Sequence, residues 1–556
     1  MSRRRDVVVR QLSGWHLPVL AWHRLRGRRI GLMDQSLASS RIRRMAHTFG
    51  GTSVDLGRVV VDGLMSSPWT ELDSLLPVVM RSVPDHVGEF PAGSEAESLW
   101  RMSLRRDIAK HGFDQLIATR WAMTGHEIVY YGTSTLDPRI GRALNGRIVS
   151  VHIWPNLIDT ALSRVTHRMA ARWRRPVSST GATETQAPSG ATGPDSPADV
   201  HGRVLFILNR GLDYGGLYRY DQYFSNDPAS ALHERNMAYV ASEPRVLENG
   251  LRAIGLPQLL TERSPARLLM TELSPLLGLR GDRDLAWHRD SFLRRAQSYG
   301  QGIDREFPRV RLAIFAFDIQ VPVEFSLALR QRGIRSIASH ERPQAGLVPY
   351  LTLVADHLLT ASPEFSRLLE SSPHARVREF LACGFWRTDR LVEVLTAERQ
   401  EEAQRPSVLV LPYELLAADV VSRMPSELTV AGFSHFLEDV CALAQEFPMA
   451  DFVVRAKTDA WTTDHRVAAI VDRLTSLPNV IVSHDYATPL ESYRLAAMST
   501  MVIGKYTSLV EEALACRIPA LIHDFTHNAH EGMCEMSSYL PDDVFVHSRE
   551  ELRERT

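Results

Sequence analysis

The sequence predicts an α/β protein of parallel sheets with helices on both faces, in two units preceded by an N-terminal α/β extension. Three observations carry that prediction. Short apolar runs alternate with stretches of helical periodicity from residue 203 to residue 547. The runs are continuously apolar, as strands buried on both faces are. One segment, residues 176–200 (PVSSTGATETQAPSGATGPDSPADV), has no apolar side chain larger than valine. It cannot offset its ordering entropy by burial, so residues 176–202 are expected to be a flexible linker.

The part before the linker, residues 1–175, shows strand-like runs at 59–61, 128–131 and 148–153, with a helix-like stretch at 101–123. The run 157–175 reads as a basic amphipathic helix or as the last helix of the first domain. After the linker, Val204 to Leu208 opens a unit spanning 203–391. Strands are predicted at 237–241, 310–317, 334–339 and 354–360, with helices over 251–300 and 322–332. A charged stretch at 392–405 separates a second unit, 405–556. Its strands are predicted at 408–411, 452–455, 480–482, 501–503, 520–522 and 544–546. Helical spacing of Phe433, Phe436, Leu437, Val440 and Leu443 marks one intervening helix. Thr488-Pro489-Leu490-Glu491 fits the start of another, with a capping box and proline in the first turn.

Composition excludes several classes of function. The formal net charge of −1 over 556 residues gives no overall pull toward nucleic acid, and none is expected as a partner. Residues 1–44 are the exception, with eleven arginines against Asp6 and Asp34. That end can be a solvated lead-in or can contact an anionic surface; peripheral contact with the inner membrane face is the expectation carried forward. Lysine survives only at positions 110, 457 and 505, and the last two fall in loops after strands. The four cysteines form no Cys-x-x-Cys pair, so neither a zinc site nor a disulfide framework is expected, and the cytoplasm is the predicted location. No run of eighteen apolar residues occurs.

Ligands of open α/β sheets bind beyond the carboxyl ends of the strands, so the loops there hold the candidate residues. Arg455-Ala456-Lys457 places two cations at alternate positions after one strand, suited to a pyrophosphate. His484 follows the next. Gly504-Lys505-Tyr506-Thr507-Ser508 follows a third and opens a helix, whose free N–H groups and partial positive charge suit an anion. Ser508 to Glu511 also fits a capping box, a structural role for both. Glu512 is then the carboxylate placed to accept ribose hydroxyls. His523, Asp524, His527 and His530 match no standard metal spacing, and no metal or cofactor is expected.

The stretch KYTSLVEEALACRIPALIHD resembles the nucleotide-binding segment of GT-B glycosyltransferases and their relatives, including the non-hydrolysing UDP-N-acetylglucosamine 2-epimerases. Glu511-Glu512-Ala513 and Pro519 carry the likeness; Arg517 stands where such relatives often have glycine. Cys383 to Leu391 resembles the Gly-x-Pro-Arg-x-Asp-x-Leu segment of teichoic-acid CDP-glycerol glycerophosphotransferases, with Trp386 in place of proline. Those enzymes carry Arg-x-His-Pro where this chain has Arg455-Ala456-Lys457-Thr458. The resemblance implies a GT-B-like fold, two Rossmann-like domains facing a cleft, with Glu512 on the donor ribose. It also implies that the acceptor side and the base come from the domain at 203–391. Asp213, His340 and Glu341 are the candidates for catalysis, and Tyr214, Gly215, Gly216, Arg342 and Arg387 for the acceptor or phosphate side. Asp318 is a further candidate. His340 can instead be a loop histidine bonded locally.

The function expected from these residues is a glycosyltransferase of bacterial surface-polysaccharide biosynthesis. It would join a nucleotide-activated sugar donor to a glycan or lipid-linked acceptor. A CDP-alcohol phosphotransferase, a nucleotide-sugar epimerase and a non-catalytic scaffold of a polysaccharide-biosynthesis complex remain alternatives.

Overall fold

The computed structural model describes residues 5–12, 16–34, 40–53, 76–77, 79–80, 90, 94–121, 126–131, 148–152, 202–207, 225–241, 245–246, 252–260, 282–315, 321–340, 352–385, 388–398, 405–412, 415, 430–485, 490–505, 507–523 and 540–556. The expected strand at 59–61, the helix at 157–175 and the linker as far as residue 201 lie outside them.

Among the described residues three sheets form. The first belongs to the N-terminal region. Its strands are β1 (Arg5–Gln11), β2 (Ile30–Asp34), β3 (Gly51–Ser53), β4 (Glu127–Tyr131) and β5 (Ile148–His152). They are parallel and run in the order β3-β2-β1-β4-β5. Side chains alternate across the sheet. Val7, Val9, Ile30, Leu32 and Val129 face Leu20 of α1 (Leu17–Leu25) and Ala46 of α2 (Ser40–Thr48). Val8, Ile128 and Tyr130 join a different core, with Leu99, Trp100, Leu104 and Ile108 of α3 (Glu95–Trp121).

That second core does not stop at the N-terminal region. It continues into Leu285 and Phe292 of α4 (Asp282–Glu306) and Val323 and Leu327 of α5 (Val323–Gln331). Polar contacts seal the same seam. The Trp100 indole donates to His288 Nδ1 at 3.1 Å, His288 Nε2 meets Asp107 at 3.1 Å, and Glu95 pairs with Arg330 at 2.7 Å.

The second sheet comprises β6 (Val204–Ile207), β7 (Ala238–Ala241), β8 (Arg245–Val246), β9 (Arg252–Gly255), β10 (Leu312–Phe315), β11 (Arg335–Ser339), β12 (Leu353–Thr360) and β13 (Ala375–Ala382). The order is β13-β12-β11-β10-β6-β7-β9-β8, with only the β8–β9 pair antiparallel. The helix expected from residue 251 is corrected here. Residues 252–255 pair in parallel with β7, a single helical turn follows at Leu256–Leu259, and the long described helix begins at Asp282. Four residues cannot show a helical period, and a sheet edge offers partners for their backbone groups. Helix α6 (Pro363–Glu370) is capped by Ser362, which accepts from Phe365 N.

The third sheet comprises β14 (Ser407–Leu411), β15 (Asp451–Val454), β16 (Val480–Val482), β17 (Met501–Gly504), β18 (Ala520–His523) and β19 (Phe545–Val546). All pairs are parallel, in the order β16-β15-β14-β17-β18-β19. In chain order this is 3-2-1-4-5-6, the doubly wound arrangement of dinucleotide-binding domains. One face packs on α8 (Val430–Glu446) and α9 (Ala468–Thr475). Phe433 and Phe436 of α8 are fully buried, each contributing roughly 1.5–3 kcal/mol relative to exposure. The other face packs on α10 (Glu491–Met498), α11 (Ser508–Ala515) and α7 (Thr388–Glu398). Helix α7 overlaps the start of the charged stretch at 392–405, and its Leu391 and Leu395 lie in the core of this third sheet. The helix expected at Thr488 begins later, at Glu491. Leu490 precedes it in a left-handed conformation (φ 63°) with no side-chain cap, and Glu491 pairs with Arg494 at 2.7 Å.

Candidate functional site

The order of the third sheet locates its crevice. The strand sequence reverses between β14 and β17, and ligands of such sheets bind beyond the carboxyl ends there. β17 ends in Gly504, and Lys505 N donates to Leu411 O of β14 at 3.0 Å. The chain then enters α11. Thr507, not Ser508, is its N-cap, with its hydroxyl accepting from Leu509 N at 3.4 Å. Ser508 is the first helical residue, so the expected Ser508–Glu511 capping box is corrected. The register is one residue earlier, which places Val510 rather than a carboxylate at the third position. Gly504 is required by this helix. A Cβ there would press into Val510 Cγ2 and stand 2.9 Å from Thr507 Cγ2.

Several predicted residues gather along this edge, at different depths. Lys505 is 2% exposed, and its Nζ donates to Gly432 O at the start of α8 at 2.9 Å. Arg455, at the end of β15, is also buried. It donates to Ser492 Oγ (2.8 Å), Ser483 Oγ (3.0 Å) and the Asp485 carbonyl (2.7 Å), tying β15 to the β16 loop and α10. Glu512 lies in α11 at 1% exposure and accepts from the Tyr493 hydroxyl at 2.5 Å. Lys457 and His484 are exposed, and Thr507 and Ser508 are half-buried. The outer groups at the edge are therefore the helix end, Lys457 and His484. Lys505, Arg455 and Glu512 form the layer beneath.

A buried cluster at the same edge was not foreseen. Asp439 of α8 is fully buried. It accepts from His523 Nε2 at the end of β18 (2.9 Å) and from Arg549 Nε (2.6 Å), with His435 Nε2 at 3.4 Å. Arg549 opens α12 (Arg549–Arg555), capped by Ser548. Burial, helped by the nearby Lys505 charge, pushes His523 down to about 4 against the pull of Asp439. The imidazole is thus neutral at pH 7 and donates its Nε2 proton. Burial alone would raise the Asp439 carboxyl, but the hydrogen bonds and charges of His523, Arg549 and His435 hold it below its ordinary value. Nothing in the local sequence around Asp439 marks it; only the fold brings α8, β18 and α12 together.

On the second sheet, His340 follows β11 at its carboxyl edge. It is 2% exposed, stacked on Phe365 with ring centroids 3.7 Å apart and met edge-on by Phe385 at 5.7 Å. Its backbone N donates to Leu359 O. Asp213, Tyr214, Gly215, Gly216, Asp318, Glu341, Arg342, Arg387, Tyr506, Asp524, His527 and His530 lie outside the described residues.

No protein-family model matches the chain, and no curated protein sequence matches it significantly. Solved structures do. The UDP-GlcNAc 2-epimerase of Neisseria meningitidis bound to UDP-GlcNAc is similar at 12% identity and a TM-score of 0.36, over 63% of this chain and 89% of that one. The S. aureus protein MnaA solved with UDP matches at 11% identity and 0.36, over 63% and 86%. The wall teichoic acid polymerase TagF matches at 11% and 0.32, over 65% and 81%. The strand orders of the second and third sheets independently give two Rossmann-like domains, the architecture expected from the sequence. Among the described residues, no helix is long and apolar enough to cross a membrane.

Proposed function

We propose that the chain is a glycosyltransferase that binds a nucleotide-activated donor at the β14–β17 switch point and acts in the synthesis of a surface polysaccharide. The observation that carries the reading is the meeting of a buried ammonium, Lys505, and the N-terminus of α11 at the crevice of a 3-2-1-4-5-6 sheet. Buried cations and helix-end N–H groups favour a pyrophosphate and the negative charge that grows on it as the bond to the sugar breaks. Lys457, His484 and Ser508 are the proposed outer contacts. Glu512, held by the Tyr493 hydroxyl, is the proposed partner of the ribose. The base that takes the acceptor proton is proposed to come from the carboxyl edge of the second sheet, with His340 the described candidate.

Calorimetry with UDP, CDP and GDP tests the donor site. One nucleotide is expected to bind. Lys457→Glu is expected to weaken it at least tenfold while leaving the melting temperature unchanged, because the side chain is exposed. Lys505→Met, which keeps the stem and removes the charge, should weaken binding likewise, with a lower melting temperature because the buried Gly432 carbonyl loses its donor. Absence of binding by any nucleotide would remove the reading. Turnover of a nucleotide sugar without acceptor would assign an epimerase instead. His340→Gln should lower turnover about a hundredfold or more with donor affinity intact, the effect of losing a general base.

A further inference from the structure

The first sheet is covered unequally. One face carries α3, which packs onward against α4 and α5. The opposite face carries α1 and α2, held there through Leu20 and Ala46 and touching each other. The outer sides of α1 and α2 therefore form the far layer of this region. A solvated layer of this kind is polar on its outer side. Here Trp22 is 52% exposed, Leu25 84% and Met45 40%. Cations surround them. The Arg26 guanidinium stacks on Trp22, 4.0 Å from the ring centroid, and Arg41 and Arg44 are exposed on α2 beside Met45. Between Leu17 and Thr48 the sequence has seven arginines and one acidic residue, Asp34.

We propose that the outer face of α1 and α2 docks on an anionic phospholipid surface. A headgroup layer takes both halves of the chemistry. Guanidinium groups meet lipid phosphates while the tryptophan, leucine and methionine side chains enter the boundary of the acyl region. The arginine stems can lie along that boundary with their heads in the phosphate layer. A nucleic-acid backbone would match the charge but would leave Leu25 and Met45 without a partner. The face belongs to a different sheet from the proposed donor site and does not depend on that reading.

Flotation of the full chain with vesicles tests the proposal, using phosphatidylcholine alone and with added phosphatidylglycerol. The chain is expected to float only with the anionic vesicles, and less as salt rises. Arg41→Glu/Arg44→Glu should lower vesicle affinity about twenty-five-fold or more, from roughly fivefold per arginine near an anionic surface. Trp22→Ser/Leu25→Ser should lower it at least about tenfold with the charge unchanged. Circular dichroism and melting temperature should match the wild type for both, since all four side chains are exposed. Failure of the wild-type chain to float with anionic vesicles at low salt overturns the proposal, as does flotation that survives both double substitutions. Binding to a short RNA duplex without binding to vesicles overturns it as well.

Discussion

His523 is neutral at pH 7 because two costs act together, removal from water and the neighbouring charge of Lys505. In the unfolded chain its imidazole titrates near the ordinary value of about 6.5. Between that pH and about 4, the unfolded chain binds a proton that the folded chain does not. Stability is therefore fully present above about 6.5 and falls as pH drops toward 4, by on the order of 3 kcal/mol in all. Asp439 adds a loss of the same sign at lower pH, since its folded carboxyl titrates below the unfolded one. His523→Gln keeps an N–H for Asp439 and removes the titration. Melting temperatures at pH 7 and pH 5 should show a smaller drop for this variant than for the wild type; an equal drop would place the pH sensitivity elsewhere. Gly504 offers a second test at this scale. Gly504→Ala should destabilise by about 1–3 kcal/mol through overpacking against Val510, and Val510→Ala in the same chain should recover part of it, as read by chemical denaturation.

Helix α11 shows what its two ends cost and gain. Thr507 caps the start, and the end closes with Ile518 N donating to Ala513 O and Arg517 N to Leu514 O. This is the Schellman pattern, whose turning residue is usually glycine. Here it is Arg517 at φ 60°. A side chain in that region carries a penalty of roughly 1–2 kcal/mol. Arg517→Gly should therefore raise stability by about 1 kcal/mol, measured by urea unfolding, and calorimetry on the same preparation should show unchanged affinity at the proposed donor site. The missing glycine noted in the sequence is thus a strained turn within the same helix geometry.

At the scale of the whole molecule, the N-terminal region is joined to the second sheet by a continuous core. Trp100 of α3 is almost wholly buried, and Phe292 and Val323 of the second unit lie in the same cluster. Removing residues 1–175 would uncover Leu285, Phe292, Val323 and Leu327 together. The truncated chain is expected to aggregate on size-exclusion chromatography, whereas the full chain stays in solution. A soluble, well-folded truncation would show the seam to be dispensable. The third sheet is tied in differently, through α7, whose sequence follows the second sheet and whose apolar side serves the third.

Much of the second and third sheets was legible in the sequence. Continuous apolar runs such as Val408 to Leu411 and Met501 to Ile503, short and alternating with helical stretches, suit strands covered on both faces, and that information is local. The loop at 504–508 was legible for the same reason, because it stands between a strand and a helix. The first sheet was harder. Arg5–Gln11 looks like part of a basic lead-in until parallel neighbours on both sides bury Val7, Val8 and Val9. Tertiary structure alone decided which loops share a crevice, since sheet order depends on pairings across scores of residues. It also set the depth of each candidate residue that is described. The sequence offers Lys505, Glu512, Lys457 and His484 alike as ligand candidates, whereas the fold buries the first two and leaves Lys457 and His484 outside. Burial and charge environment are sums over distant neighbours, so the neutral state of His523 and the buried carboxylate of Asp439 could appear only when β18, α8 and α12 came together.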